Sequence, residues 1–195
     1  MTTAIELENV PALRRKKFCT DEIYQMMEAG ILPEESGWEL IDGEIIDRMG
    51  IGSKHAGTVK RLNKILTNSV GNRAIVSVQD PIHIDNHNEP EPDIALLKPR
   101  EDFYAENHPL PEDILLLIEV SASTINYDRD IKKTLYAEAE VFEFWLVNLA
   151  ESTIECYSSP KNGYYRLAKI VGIGETVQSI LLENLTLKVD ELLGL

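Results

Sequence analysis

Residues 114–121 read Ile-Leu-Leu-Leu-Ile-Glu-Val-Ser, and this stretch decides the fold. An apolar run of strand length, with no alternation of polar and apolar residues, marks a strand covered on both faces. Such strands belong to sheets with helices on either side. Glu119 breaks the run. A carboxylate in that setting is costly to bury unless a cation, a basic partner or a metal offsets its charge. Glu119 is therefore the first candidate functional residue.

Downstream of this strand, a polar loop leads into a helix over 128–138, with Ile131 and Leu135 on its inner side. A strand over 142–147 follows, so 114–148 forms a strand–helix–strand unit, expected as a right-handed crossover between parallel strands. Further strands are expected at 153–157 and, beyond the Asn162-Gly163 turn, at 164–170. A short strand and a helical turn close the chain over 182–195.

Upstream lie a strand over 93–97, strand segments at 74–78 and 81–84 interrupted at Asp80-Pro81, and a turn at 85–88. Residues 99–113 form an acidic, Pro-rich loop suited to a surface flap. Val59, Leu62, Ile65, Leu66 and Val70 recur at helical spacing over 54–70, ended by Gly71. Asp42-Gly43 turns a hairpin of 38–41 and 44–46. Thr20 caps a helix over 21–29, with Gly30 past its end. The class is α/β: a central mixed sheet flanked by helices, one domain over 20–195 behind a loosely ordered arm at 1–19.

Composition narrows the setting. No apolar run approaches the ~18 residues that span a bilayer, and the first residues lack a signal peptide's apolar core. A cytoplasmic protein with no membrane partner is the expectation. Cys19 and Cys156 make neither a disulfide framework nor a four-ligand zinc site, and His83 and His87 flank a turn rather than share a helix face. Nineteen basic residues against thirty-three acidic ones give a net charge of −14. That balance argues against tight, sequence-independent binding of long duplexes, although the local field at a site decides.

Asp93 follows Pro92 at the start of a strand and, paired with Glu119 across neighbouring strands, forms half of a divalent-cation site. Magnesium, or manganese in its place, is held by one or two carboxylates plus waters and substrate phosphates. Such an open site suits phosphodiester hydrolysis. His55, at a helix start, is a candidate for meeting a phosphate. Lys60 and Arg61, with Lys54 and Lys64, form the one basic cluster able to contact phosphates, and equally an ordinary solvated face.

Taken in order, Trp38-Glu-Leu-Ile-Asp-Gly-Glu-Ile45, His55, Glu91-Pro-Asp-Ile94, Leu117-Ile-Glu-Val-Ser121, Asp128-x3-Lys132-x3-Tyr136 and Glu143-Phe-Trp-Leu146 resemble the Uma-two family. Its members look like PD-(D/E)xK restriction-endonuclease-like nucleases. The resemblance implies that Asp93, Glu119 and the Val120 carbonyl hold Mg²⁺ (or Mn²⁺), and that nucleic acid, DNA by family habit, is cut by a homodimer. The motif's lysine should stand where Ser121 is, leaving Ser121 on the substrate side. Lys132 matches a lysine migrated to the next helix. Asp128, Lys132 and Tyr136, spaced i, i+4, i+8, would share one helical face, with Asp128 steering the lysine and Tyr136 lining the substrate wall. Glu39 matches the family's first acid and would assist through a second metal or a water. Phe144 and Glu140 stand where the family usually has Tyr and often has Gly. A catalytically idle binding module on the same fold, or a structural protein whose Glu119 is neutralised internally with no open cleft beside it, are the alternatives.

Overall fold

The computed structural model describes residues 15–33, 37–47 and 52–195. Its centre is a six-stranded sheet in the order β3-β4-β5-β6-β7-β8, where β3 is Ile75–Ser77, β4 Ile94–Leu97, β5 Ile114–Ser121, β6 Glu143–Asn148, β7 Thr153–Lys161 and β8 Tyr164–Val171. β5 and β6 run parallel, and every other neighbouring pair is antiparallel. The mixed sheet expected around residues 114–148 is thus present, with the parallel pair at its middle.

Side-chain alternation along β5 explains why this strand is apolar throughout. Leu116, Ile118 and Val120 pack on one face with Val59, Leu62 and Leu66 of α2 (Ser53–Val70), and with Trp145 and Val147 of β6. Leu117 packs on the other face with Phe144, Leu146 and Tyr136. Both faces are covered, which is the physical reason for a run without alternation. Glu119 shares the parity of Leu117 and so points to the Tyr136 side.

The helical connection between β5 and β6 differs from the continuous α-helix expected. It consists of α3 (Ile125–Tyr127), a π-helical turn over Asp128–Lys132 and α4 (Lys133–Glu138). A π turn holds more residues than an α turn and rotates everything before it. Ile131, expected on the inner side, is 46% exposed, whereas Lys132 is 3% exposed. Lys132 keeps the buried face of Tyr136, one turn further on, and it is the isoleucine that loses its expected inward place.

A separate hairpin, β1 (Trp38–Ile41) and β2 (Glu44–Asp47), turns at Asp42 and Gly43, both with positive φ (49° and 71°). Left-handed backbone at both central positions is the hairpin geometry that Asp-Gly favours. A Cβ on Gly43 would come within 2.7 Å of the Lys17 Cβ, so the turn also admits close approach of the preceding segment. An isolated bridge between Leu40 and Glu89 ties the hairpin to the segment leading into β4. Helix α1 (Thr20–Glu28) covers it through Ile23, which packs with Trp38 and Leu40.

Three other expectations change. Cys19, not Thr20, is the N-cap residue of α1: its backbone is extended and its N–H donates to the Glu22 carboxylate, while the Thr20 N–H donates to the Asn86 carbonyl. Residues 81–84 form no strand: the Ile82, His83 and Ile84 N–H groups bond to the Pro90, Pro109 and Asn88 carbonyls instead of a ladder. Near the C-terminus the chain adds a two-stranded sheet, β9 (Thr176–Gln178) with β10 (Thr186–Lys188), before α5 (Val189–Leu193). Of the expected N-terminal arm, residues 1–14 lie outside the described residues. Arg15 and Lys17 pair with Glu44 and Asp42 of the hairpin. Among the described residues, no helix is long and apolar enough to cross a membrane.

Glu140 follows α4 with φ 59°. Left-handed backbone costs a residue with a Cβ about 1–2 kcal/mol, and glycine is the usual helix terminator there. Glu140 is exposed, so little packing is at stake. Glu140→Gly is expected to raise stability by about 0.5–1 kcal/mol, after allowing for the greater unfolded-chain entropy of glycine. Urea unfolding of the two proteins checks this, and an unchanged or lower midpoint contradicts it.

Candidate active site

The cross-strand register brings the two acids together. Ile94 pairs with Ile118 in antiparallel β4 and β5. One step further along, Asp93 therefore faces Glu119 on the same side of the sheet. The Asp93 N–H donates to Glu119 Oε2 at 3.4 Å, and the Val120 N–H donates to Asp93 Oδ2 at 2.9 Å. Because the N–H and C=O of one strand residue point to the same side, the Val120 carbonyl also lies toward Asp93.

Lys132 enters from the π turn. Its Nζ donates to Glu119 Oε1 at 2.9 Å and to Glu39 Oε1 at 2.7 Å. Tyr136 Oη donates to the same Glu119 Oε1 at 2.6 Å. Glu39, on β1, is fully buried and also accepts the Glu91 N–H at 2.9 Å. Its Oε2 is buried with no hydrogen-bond partner among the described residues. Asp128 does not hold the lysine as its spacing suggested. Its Oδ2 accepts from Thr124 Oγ1 at 2.8 Å, because the widened turn leaves it beside the β5–α3 loop. Ser121, at the place of the in-strand lysine, is buried with its hydroxyl 3.2 Å from that of Thr124.

His55, in the first turn of α2, sits with Nε2 2.9 Å from Asp93 Oδ2, so its partner here is a carboxylate. Gln79 donates to Asp93 Oδ1 at 3.1 Å. It reaches there from a left-handed turn (φ 56°) just after β3, and nothing in the sequence around it signals this role. Tyr127 was also missed: its hydroxyl is buried without a hydrogen-bond partner among the described residues and feels the charge of Glu39. The basic residues of α2 make contacts of other kinds. Lys60 is exposed, Arg61 donates to the Leu193 carbonyl at 3.1 Å, and Lys54 to the Leu149 carbonyl at 2.9 Å. Arg61 thus ties α2 to the C-terminal helix.

Electrostatics divide the two acids. Burial raises Glu119 most, and neighbouring Asp93, Asp128 and Glu39 add to it against Lys132, giving about 8. Burial also raises Asp93, but the hydrogen bond and charge of His55, the Val120 N–H and Lys132 outweigh it and hold Asp93 below the usual carboxylate range. For Lys132, burial favours the neutral amine. The charges of Glu119 and Glu39 overcome it, keeping the lysine charged. Four carboxylates, Glu39, Asp93, Asp128 and Glu119, interact with one ammonium. Fully ionised, and with His55 neutral, they leave a formal charge of −3, and Glu119 is the group that takes up a proton when no other cation relieves the excess.

The donor set fits a hard divalent ion. Asp93, Glu119 and the Val120 carbonyl supply oxygens only. Among the described residues, no group of three or more His, Cys, Asp or Glu is arranged to hold a metal ion. Magnesium needs fewer protein ligands than that, since it keeps several waters.

Carboxylates paired at the ends of neighbouring middle strands, with a lysine brought beside them by the next helix, define a restriction-endonuclease-like α/β domain. The model of the Uma2 family, described as "Putative restriction endonuclease", matches residues 20–190, and the chain belongs to that family. Among solved structures, the chain is similar to a putative nuclease belonging to DUF820 from Anabaena variabilis ATCC 29413. The TM-score is 0.70 at 18% identity, over 91% of this chain and 98% of that one. At that identity the likeness is one of fold. No curated protein matches the chain.

Because Glu119 binds its proton more tightly when folded than at its usual 4.5, its ionisation erodes stability as pH rises from about 4.5 to about 8. Glu119→Gln removes that penalty. In a chelating buffer, the melting temperature of Glu119→Gln relative to the parent is expected to climb across this window. A difference that stays flat or falls with pH would show that Glu119 is not the proton acceptor of the cluster.

Proposed function

We propose that the protein is a divalent-metal-dependent endonuclease that hydrolyses phosphodiester bonds of nucleic acid, DNA being the first substrate to try. The observation that carries this reading is the ammonium of Lys132 within 2.9 Å of Glu119, across the strand from Asp93. It supplies from a helix the cation that the motif otherwise draws from the strand.

In this reading Asp93 and Glu119, with the Val120 carbonyl, hold Mg²⁺ or Mn²⁺, which when bound supplies charge to the scissile phosphate and lowers the pKa of a water. The protein's own groups do the rest. Lys132 orients the attacking water and offsets charge that develops on the phosphate oxygens. Tyr136 fixes the Glu119 carboxylate by its 2.6 Å hydrogen bond, and His55 and Gln79 fix that of Asp93. Ser121 serves the site by tying the end of β5 to Thr124.

A second reading, an idle binding module on the same fold, is favoured by burial. Asp93, Glu119 and Lys132 are 3–4% exposed. Two surface cavities, of about 560 and 430 Å³, lie away from them, one by the end of α2 and β3, the other between β7, β8 and β9. The overall charge of −14 points the same way.

Single-turnover cleavage of labelled single- and double-stranded oligonucleotides with Mg²⁺ or Mn²⁺ separates the two. Lys132→Ala is expected to slow cleavage by about 10²-fold or more, with metal affinity changed far less. Lys133→Ala is expected to do little, because its ammonium lies over the Tyr157 ring, 5.2 Å from the centroid. Equal rates for Lys132→Ala and wild type would remove the lysine from the mechanism. No cleavage of any substrate by wild type would leave the binding module.

A further inference from the structure

The structure assigns Glu39 a role different from metal or water binding: we infer that it is a positioning residue that holds the Lys132 ammonium in place beside Glu119. This deepens the endonuclease reading and rests on it for the chemistry, but not for the contact itself.

Four observations carry it. The shorter of the two lysine contacts is to Glu39, 2.7 Å against 2.9 Å to Glu119. The oxygen involved, Oε1, is also held by the Glu91 N–H, so it is fixed by backbone before the lysine arrives. Glu39 lies on β1, where all four residues are buried, and the Leu40–Glu89 bridge next to it anchors the strand to the segment entering β4. Lys132 itself comes from a π turn, a backbone form that needs support. Its long, rotatable stem would otherwise be free to choose among carboxylates.

Without Glu39 the ammonium has one strong partner left, Glu119, which in the proposed mechanism is needed for the cation. A lysine collapsed onto Glu119 both blocks that carboxylate and leaves the water it should orient. Glu39 limits this by sharing the ammonium, so that Lys132 is held between two carboxylates and not by Glu119 alone. The hairpin, which lies outside the six-stranded sheet, thereby becomes part of the active site through one side chain.

A double-mutant cycle tests the assignment. In single-turnover cleavage, Glu39→Gln alone is expected to lower the rate at saturating substrate roughly 10–100-fold, the usual cost of losing a group that orients a catalytic one. The half-saturating substrate concentration should stay unchanged, and more Mg²⁺ should not restore the rate. In a Lys132→Ala background, Glu39→Gln is expected to change the rate less than about twofold, because contacting groups are non-additive. Multiplicative losses, or recovery at high Mg²⁺, would overturn the role and make Glu39 an independent ligand or water-binding group.

A stability arm needs no activity. Lys132→Met should lower the melting temperature by leaving the buried Glu39 carboxylate without its cation, and adding Glu39→Gln should recover part of that loss. No recovery would refute the pairing even if the protein cleaves nothing. Recovery in a protein that cuts no substrate would leave the pairing standing, while the endonuclease reading, and with it the catalytic purpose of Glu39, would fall. Should Lys132→Met not fold, Lys132→Gln, which also removes the cation, serves the same comparison.

Discussion

A carboxylate placed inside the most apolar strand of the molecule is the constraint around which the rest is arranged. Burying Glu119 alone would cost several kcal/mol, and the surrounding chain answers with one ammonium and one phenol on the same oxygen, at 2.9 and 2.6 Å. Both donors come from the crossover helix, so the connection that makes β5 and β6 parallel also neutralises the strand it leaves. Packing and chemistry are therefore one problem in this fold. The face that buries Leu117 against Tyr136 is the face that presents Glu119 to Tyr136.

Much of this was legible in the sequence because it follows from short-range patterns. The unbroken apolar run of 114–118 requires helices on both faces, and Asp42-Gly43 requires a tight hairpin. The antiparallel approach of β4 and β5 sets Asp93 opposite Glu119. What escaped depends on long-range geometry or on broken periodicity. Ile131 was expected inward because an α-helix was assumed, and the π turn has no composition that announces it. Gln79 reaches Asp93 by a backbone turn rather than by spacing. The strand at 81–84 failed because its N–H groups found loop carbonyls, which local propensity does not register. Asp128 has the right spacing for the lysine but the wrong local pitch.

The cluster's electrostatics set apart two acids that look equivalent in the sequence. Asp93, with a histidine, an amide N–H and a glutamine side chain about its carboxylate, stays ionised. Glu119, more deeply buried and surrounded by three other acids, holds a proton into the neutral range. A buried cluster with more negative charge than its lysine can balance favours taking up a positive ion of some kind. A proton satisfies the need in acid, a divalent ion would satisfy it in neutral solution, and the two compete for the same oxygens.

The π turn has a consequence for how one edge of the site can change in a lineage. An α turn and a π turn differ by a single residue over the same advance along the helix. Deletion of one codon among 128–131 would rewind the segment into an unbroken α-helix and carry the residues before it about 100° around the axis. Lys132 stands one α-turn before Tyr136 and would keep its face, so both donors to Glu119 would stay in place. The contact between Asp128 and Thr124 would be the one to go.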